Sequence, residues 1–304
     1  MRIVVTGGTG FLGVPLVRGL AAAGHQVVVL SRDPQRARQQ VAAEASVEGW
    51  SAQPEPRLAE VLSGADAVVN LAGESIGERR WSEIQKQRIR QSRLDATQAI
   101  ATAIADAVDG PKVLVQQSAV GYYGDTEDRE VTEEGPPGSD FLATVVRDWE
   151  AAAGPAQEAG TRVVFTRTGL VLSAQGGALE RLLLPFRLGV GGPLGSGQQW
   201  FPWVHLDDVL GLFRFAVERD EVQGTINVAA PGIVTMREFA RTLGRVLRRP
   251  AVLPLPGFML RLLVGEFAET LLRGQRVAPA AAQGYGYQFR YPHLGEALRA
   301  ALST

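Results

Sequence analysis

The sequence contains no cysteine, so disulfide bonds, thiolate catalysis and cysteine-ligated metals are excluded, and we predict no metal site. Net charge is also nearly absent, because 31 basic and 32 acidic side chains leave a formal charge of -1. That balance provides no electrostatic basis for binding nucleic acid or an anionic membrane. Glycines interrupt the first apolar run at residue 7, too early for an export signal, and no later run reaches the roughly 20 residues of a membrane span. We therefore expect a cytoplasmic protein that binds neither nucleic acid nor membrane.

Short β-branched runs alternate with longer segments of helical period. With 304 residues, 45% of them hydrophobic, the chain can bury one large core and a smaller one. The apolar runs are continuous, as is typical of parallel strands buried on both faces. Strands are predicted at residues 2–6, 26–30, 67–71, 113–117, 162–167 and 225–228, and helices at 11–23, 82–107, 140–159, 236–247 and 258–272. The pattern predicts an α/β fold with a doubly wound, Rossmann-type parallel sheet.

The alternation stops after residue 167, where glycines and prolines become frequent. We predict that residues 1–172 and 204–232 form the Rossmann domain, and that residues 173–203 and 233–304 form a smaller C-terminal lobe. The acidic segment 124–138 is expected to be an exposed loop, because it holds Pro136 and Pro137.

The segment TGGTGFLG at residues 6–13 follows the first predicted strand and opens the first predicted helix. In that position Gly7 permits a tight turn, Gly10 lets the backbone approach a diphosphate, and Gly13 lets helix and strand pack closely. The helix N-terminus then presents its unpaired amides to the phosphates. The residues predicted to contact a nucleotide here are Gly7, Thr9, Gly10, Phe11, Leu12 and Gly13.

The residues after the second predicted strand favour NADP(H) over NAD(H). NAD-preferring sites place an Asp or Glu at that strand tip, where the carboxylate accepts hydrogen bonds from the ribose 2′-hydroxyl. This chain has Ser31 and Arg32 there, a hydroxyl and a guanidinium that suit a 2′-phosphate. Arg36 and Arg38 follow within two helical turns and would add to the binding. The alternative is that Arg32 is a solvated surface charge and that Asp33 binds the ribose.

Several motifs resemble those of a known superfamily. Four of them are similar to landmarks of the extended short-chain dehydrogenases/reductases: TGGTGFLG at 6–13, VNLAG at 69–73, RTGLV at 167–171 and WVHLDDV at 203–209. Further stretches resemble an atypical branch, the NAD-dependent epimerase family proteins, some of which are known as cell-division inhibitors. These stretches are residues 70–93, 184–189 and 197–203. Residues 265–266 and 272–277 resemble the terminal domain that this branch has in addition. The resemblance covers nearly the whole chain and implies a Rossmann fold. It implies no substrate.

The resemblance also assigns further residues to the cofactor. Leu71 and Ala72 would border its adenosine side, and Gly73 would allow close approach. Arg93 stands where the superfamily often has an active-site Asn, so its charge would meet a cofactor phosphate or an anionic substrate. The alternative is that Arg93 and its basic neighbours form the solvated face of a helix.

The acid/base pair of the superfamily is absent. Its members use a Tyr as the general acid/base, and a Lys follows it four residues later. The positive charge of that Lys lowers the pKa of the phenol from its usual value of about 10. In the predicted helix 140–159, Phe141 or Leu142 replaces the Tyr, and Val145 or Val146 replaces the Lys.

Other side chains are candidates for the missing catalytic roles. Ser118 would supply the hydroxyl that assists the reaction in the superfamily. Tyr122 and Tyr123 follow at the carboxyl edge of the sheet, where ligands bind in such folds, and His205 is expected to approach the same crevice. The structural alternative is that the tyrosines only pack against the strand end and that His205 only holds a loop.

Aromatic and acidic residues around these candidates also have two interpretations. Three tryptophans would form an apolar pocket wall: Trp81, Trp200 and Trp203. Asp207 and Asp208 are candidates for the same crevice, or for a helix N-cap pair.

Two functions remain open. The first is an NADP(H)-dependent oxidoreductase or epimerase acting on an unknown small molecule. The second is a non-catalytic NADP(H)-binding redox sensor or regulator, which the missing Tyr and Lys favour. A sugar-nucleotide binder is a third reading, supported only by basic residues such as Arg261, Arg273 and Arg276. A homodimer is also open, since helices often pair across a two-fold axis in such proteins.

Overall fold

The computed structural model describes residues 1–303, which form thirteen strands and thirteen α-helices. The strands are β1 Arg2–Thr6, β2 Gln26–Ser31, β3 Ser46–Gly49, β4 Ala67–Asn70, β5 Val113–Ala119, β6 Glu130–Val131, β7 Arg162–Thr168, β8 Leu170–Leu172, β9 Trp200–Phe201, β10 Trp203–His205, β11 Gly224–Val228, β12 Val234–Thr235 and β13 Arg276–Val277. The helices are α1 Gly13–Ala22, α2 Pro34–Gln40, α3 Pro56–Leu62, α4 Glu83–Asp106, α5 Phe141–Ala151, α6 Gly154–Glu158, α7 Gly177–Arg187, α8 Leu206–Glu218, α9 Met236–Leu247, α10 Gly257–Val264, α11 Ala268–Leu272, α12 Ala280–Gly284 and α13 Leu294–Ser303, with 3-10 turns at Val120–Tyr123 and Gly265–Phe267.

Seven strands form one parallel sheet in the order β11-β7-β5-β4-β1-β2-β3. Separate hydrophobic clusters cover its two faces, as the continuous apolar strands require. The predicted α/β fold with a Rossmann-type doubly wound sheet is therefore confirmed. Strand order reverses between β1 and β4, so a crevice opens beyond the carboxyl ends of these two strands.

A smaller lobe has its own core. Its apolar residues come from two parts of the chain, around residues 172–203 and 230–302, and include Phe186, Trp203 and Phe239, which are almost fully buried. The predicted C-terminal lobe is thus present. The exact domain boundaries stay a prediction.

Two predicted helices are shorter than expected. The helix predicted at 140–159 stops at Ala151 and restarts at Gly154, because Pro155 lacks an amide hydrogen and its ring obstructs the preceding turn. The helix predicted at 258–272 is interrupted at Gly265, where φ is +67°.

The segment 124–138 is not the free loop that its composition predicts. Its strand β6 pairs with β13 of the C-terminal lobe, and Thr126 and Val131 are buried. Most of the acidic residues and both prolines are exposed, whereas the half-buried carboxylate of Glu133 anchors the segment by accepting the amide hydrogens of Asn227 and Ala281. Within residues 1–303, no helix has the length and apolarity needed to cross a membrane.

Candidate active-site cleft

A cleft of about 1700 Å³ opens at the carboxyl edge of the sheet. Its walls come from the glycine segment, the ends of β2, β4 and β5, the first turns of α5, and the lobe. It therefore runs from the Rossmann domain, over the strand-order reversal, to the C-terminal lobe. Concave sites of this kind are where small ligands bind in such sheets.

The glycine segment has the backbone geometry of a phosphate-binding turn. Gly7 has φ +64°, and a Cβ there would lie 2.7 Å from the carbonyl oxygen of Leu71. A Cβ at Gly13 would lie 2.2 Å from the oxygen of Gly7, so only glycine allows the helix to start this close to the strand. A Cβ at Gly10 would meet only that same oxygen, at 3.2 Å, so the space beyond Gly10 is open.

The other predicted residues of this segment also line the cleft. Thr9 is exposed, and Leu12 is the N-cap of α1. Phe11 lies against Gly176 and Gly177, because a Cβ at either glycine would contact its ring. The segment thus contacts the beginning of α7 in the lobe as well as the sheet.

The tip of β2 presents a serine and an arginine to the cleft. Ser31 and Arg32 both line it, and Arg32 is exposed. The carboxylate of Asp33 accepts the amide hydrogen of Arg36 at 3.0 Å and so caps α2. Asp33, the alternative ribose ligand, also lines the cleft, and the capping bond occupies one oxygen of its carboxylate. Arg36 lines the cleft, whereas Arg38 does not and donates instead to the carbonyl oxygen of Val47.

A buried polar network holds the tip of β4. The Thr6 hydroxyl donates to Asn70 Oδ1 at 2.5 Å, and Asn70 Nδ2 donates to Gln116 Oε1 at 2.8 Å. The Thr6 hydroxyl also accepts the amide hydrogen of Leu71. These bonds tie three neighbouring strands together and orient the backbone that follows. Leu71, Ala72 and Gly73 consequently line the cleft, and their contact with the adenosine side of a cofactor stays a prediction.

Arg93 is a half-buried cation on the wall of the cleft. Its Nη1 donates to the carbonyl oxygens of Glu74 at 2.9 Å and Ile89 at 3.0 Å, and its guanidinium lies 4.9 Å from the Trp149 ring. It forms no ion pair within the described residues 1–303. Burial lowers the pKa of Arg93 to about 10, partly offset by Glu74, so the side chain stays charged at neutral pH. The alternative of a solvated helix face therefore does not describe Arg93.

Ser118 lies at the end of β5 on the wall of the cleft. Its hydroxyl donates to Glu150 Oε1 at 2.5 Å, and Arg167 holds both oxygens of Glu150 at 2.9 Å. The side chains of Arg167 and Glu150 are only 5% and 12% exposed. Because the Ser118 hydroxyl hydrogen is donated to Glu150, the Ser118 oxygen can only accept a hydrogen bond from a ligand.

The expectation that the two tyrosines face the cleft is wrong. The 3-10 turn Val120–Tyr123 directs them away from it, toward β7 and β11. The Tyr123 hydroxyl donates to Asn227 Oδ1 at 2.7 Å and accepts from Arg167 at 3.0 Å, while the Tyr122 ring lies 3.4 Å from the Arg167 guanidinium. Burial raises the pKa of Tyr123 to about 12, against the opposing effect of Arg167. The geometry matches the structural alternative, in which both tyrosines pack against the strand end.

His205 does not reach the crevice either. Its Nδ1 accepts the amide hydrogen of Asp207 at 3.1 Å, so His205 is itself the N-cap of α8, and its ring packs on Tyr291. The predicted cap pair is wrong in detail as well, because Asp208 is buried and accepts the amide hydrogens of Arg290 and Tyr291. Burial of this region lowers the pKa of His205, although the neighbouring carboxylates favour its charge.

The position of the missing acid/base pair is apolar. Four side chains of α5 line the cleft there: Phe141, Leu142, Val145 and Val146. Of the three tryptophans, Trp81 and Trp200 line the cleft, whereas Trp203 is buried in the lobe and donates to the Gly232 carbonyl. Two of the three predicted rings therefore line the cleft.

Comparison with known proteins decides the family. A model of the NAD dependent epimerase/dehydratase family matches residues 3–229, and a model of a domain of unknown function, DUF1731, matches residues 255–301. The chain belongs to the NAD-dependent epimerase/dehydratase family. The resemblance inferred from the motifs, including the separate terminal domain, is confirmed.

Relatives in this family match over nearly their full lengths. The human epimerase family protein SDR39U1 is 42% identical over 303 residues, which cover 98% of this chain and 99% of the human one. The YfhF protein of Bacillus subtilis is 38% identical and covers 98% and 97%. A crystal structure of human SDR39U1 with NADPH has a TM-score of 0.91 and 41% identity, covering all of both chains. The UDP-glucuronic acid 4-epimerase of Bacillus cereus shares the fold, with a TM-score of 0.80 at 17% identity over 100% and 98% of the chains.

Two side chains of this family member were missed from sequence. Glu150 lies 32 residues from its partner Ser118, and Phe267 comes from the terminal domain yet lines the cleft. Neither belongs to a local motif, so no sequence signal pointed to them. Their positions depend on how distant segments pack.

Proposed function

We propose that the chain binds NADP(H) in this cleft and uses it as an oxidoreductase or epimerase on a small molecule. The observation that carries the proposal is the tip of β2. Arg32 and Ser31 line the cleft there, and the nearby carboxylate of Asp33 already caps α2. A guanidinium beside a hydroxyl suits the 2′-phosphate that distinguishes NADP(H) from NAD(H). The human relative crystallised with NADPH supports the same assignment.

The glycine segment fits the diphosphate of this cofactor. The close packing at Gly13 brings the start of α1 next to the strand, and the space beyond Gly10 is open for a phosphate. A Cβ at Gly10 would project into that space. Thr9, Phe11 and Leu12 would border the diphosphate beside the N-terminus of α1. When bound, NADPH supplies a hydride to an acceptor and is left as NADP⁺.

Arg93 would replace the cation of the missing Lys. Trp149, on which its guanidinium stacks, follows Val145 and Val146 by one helical turn of α5. Residues three and four apart share one face of a helix, so the charge of Arg93 lies beside the face that the Lys would occupy. Arg93 would hold the ribose or a phosphate of the cofactor from there.

Ser118 would orient a ligand group rather than protonate it. Its hydrogen is used by Glu150, which Arg167 fixes in place. The Ser118 oxygen would accept a hydrogen bond from a hydroxyl or amide of the ligand. If the protein is an enzyme, we expect Ser118→Ala to lower turnover and to leave NADPH binding unchanged.

A second candidate function is a non-catalytic redox sensor. The apolar side chains at the position of the Tyr and Lys favour it. We further propose that the protein acts in the cytoplasm, does not bind nucleic acid or membrane, and can form a homodimer. The balanced charge and the lack of cysteine support the first two of these proposals.

The test is a titration of the protein with NADPH and NADH, followed by ligand fluorescence. Arg32→Ala should weaken NADPH binding by about 1.5–3 kcal/mol, roughly tenfold to a hundredfold, and leave NADH binding unchanged. Arg38→Ala is the matched control, because Arg38 lies outside the cleft and should leave both affinities unchanged. Equal affinity for both nucleotides in the unmodified protein would contradict the NADP(H) assignment.

A further inference from the structure

The cleft contains an aromatic wall beside the position of the missing acid/base pair. The rings of Trp81 and Phe141 meet edge to face with centroids 5.2 Å apart, and Phe267 lies 5.5 Å from Trp81. All three line the cleft, and Phe141 and Phe267 are partly exposed to it. Such a wall binds flat apolar rings, since aromatic groups prefer edge-to-face and offset contacts with one another.

The wall is assembled from both family modules, which an ion pair connects beside it. The Trp81 indole donates to the carbonyl oxygen of Ile76 at 2.8 Å, which fixes its plane. Lys86 lies 5.5 Å from the Phe141 ring centroid and contacts Glu83 at 2.7 Å and Glu266 at 3.2 Å. Glu266 directly precedes Phe267, so this ion pair holds the ring of the terminal domain against the Rossmann domain.

The position of the missing acid/base pair itself has no side chain that can donate a proton to a ligand, within residues 1–303. Leu142 and Val146 are apolar, the Ser118 hydrogen is used by Glu150, and Tyr123 and His205 lie elsewhere. Arg93 stays charged at neutral pH. A ligand whose reaction depends on a protein acid, such as a simple ketone or a sugar hydroxyl, therefore lacks its partner here.

The three rings of the wall also offer the hydroxyls of a sugar no hydrogen-bonding partner, because the Trp81 N–H is used by Ile76. Each sugar hydroxyl that leaves water needs a hydrogen-bonding partner, and an unpaired one opposes binding. Trp81, Phe141 and Phe267 offer ring faces and edges in place of such partners. A flat conjugated ring loses little hydration and gains contact with the partly exposed Phe141 and Phe267, against which the largely buried Trp81 packs.

We propose that this wall binds a flat, conjugated hydride acceptor of the quinone class. The inference rests on the proposed NADP(H) function. Reduction of a quinone to a hydroquinone takes up one hydride and one proton, and NADPH, the hydride source, is oxidised to NADP⁺. The ring disperses the negative charge that the hydride leaves, so water can supply the proton and no protein acid is required.

The experiment measures binding without turnover. The protein is saturated with NADP⁺, which cannot reduce the probe, and 1,4-naphthoquinone is titrated by calorimetry. Trp81→Ala and Phe267→Leu should each weaken naphthoquinone binding roughly threefold to tenfold. Phe258→Ala is the matched control, because Phe258 lies in the same lobe, is 70% exposed and does not line the cleft. It should leave the affinity unchanged.

The remaining outcomes separate this inference from the proposed function. If NADPH binds but naphthoquinone does not, or binds equally well to all three variants, the quinone assignment fails and the cofactor assignment stands. If UDP-glucose binds the NADP⁺ form and Trp81→Ala weakens that binding, the wall holds a sugar nucleotide instead. Failure to bind NADPH contradicts both proposals. Phe267→Leu keeps the test valid if Trp81→Ala does not fold, because Phe267 is only partly buried.

Discussion

The two halves of the cleft are built in different ways. The nucleotide half uses short contiguous segments at strand ends, residues 6–13, 31–33 and 70–73, and presents backbone amides and charged groups. The lobe half combines Trp81, Phe141 and Phe267 from three distant segments and presents aromatic rings. Local backbone geometry therefore defines the first half, and long-range packing defines the second. A buried network around Glu150 lies where the two halves meet.

The largest expected effect is at that junction. Glu150→Ala would leave the Arg167 guanidinium, only 5% exposed, without its carboxylate partner. Breaking a buried pair by removing one partner costs about 3–5 kcal/mol, which urea unfolding would measure. Glu48→Ala is the control, because its ion pair with Arg57 lies on the surface and is worth at most about 1 kcal/mol. A loss as small as that of the control would mean that the junction is not structurally important.

The second effect concerns the nucleotide half alone. Gly13→Ala would place a Cβ 2.2 Å from the Gly7 oxygen, so the backbone of the segment must shift. We expect a loss of about 1–3 kcal/mol in stability, typical of overpacking, together with weaker NADPH binding. Gly19→Ala in the same helix has free space around its Cβ and should be neutral or slightly stabilising. Unchanged NADPH affinity in Gly13→Ala would show that the segment does not hold the cofactor.

The third effect tests whether the tyrosines belong to the cleft or to its support. Tyr123→Phe removes a buried hydroxyl that bonds Asn227 and Arg167, and should cost about 1–2 kcal/mol of unfolding free energy. NADPH affinity should not change, because Tyr123 lies outside the cleft. Tyr122→Phe removes a hydroxyl for which no hydrogen bond is seen among residues 1–303, and it should change stability by less than about 0.5 kcal/mol. A loss of NADPH binding in Tyr123→Phe would show that Tyr123 belongs to the binding site.

The smallest effect is a pH dependence on the lobe side. The folded-state pKa of His205 is lowered, so its neutral form stabilises the fold at pH values above about 6.5, and this contribution is lost as the pH falls through the lowered pKa. Protonation also removes the Nδ1 acceptor that caps α8.

His205→Asn keeps an acceptor at the cap and should remove this part of the dependence. Melting temperatures between pH 8 and pH 5 would reveal a shallower decline in His205→Asn than in the unmodified protein. His293→Asn, at an exposed position, should follow the unmodified protein. Identical slopes for all three proteins would exclude His205 as the source.

The sequence by itself determined the sheet, the glycine turn and the basic tip of β2. These features depend on contacts between neighbours in the chain. Continuous apolar runs need burial on both faces, Gly7 needs a positive φ, and Arg32 follows directly on its strand. The absence of the Tyr and Lys was equally visible, because the motif that should carry them is local.

Only the tertiary structure decided which side chains face the cleft. Tyr122, Tyr123 and His205 are close to the right strand ends in sequence, yet a 3-10 turn and a helix cap direct them elsewhere. Glu150 supports Ser118 from a helix and Phe267 lines the cleft from a terminal domain, and neither has a motif of its own. Side-chain direction and long-range packing depend on interactions between residues far apart in the chain, and a single sequence does not encode these as a local pattern.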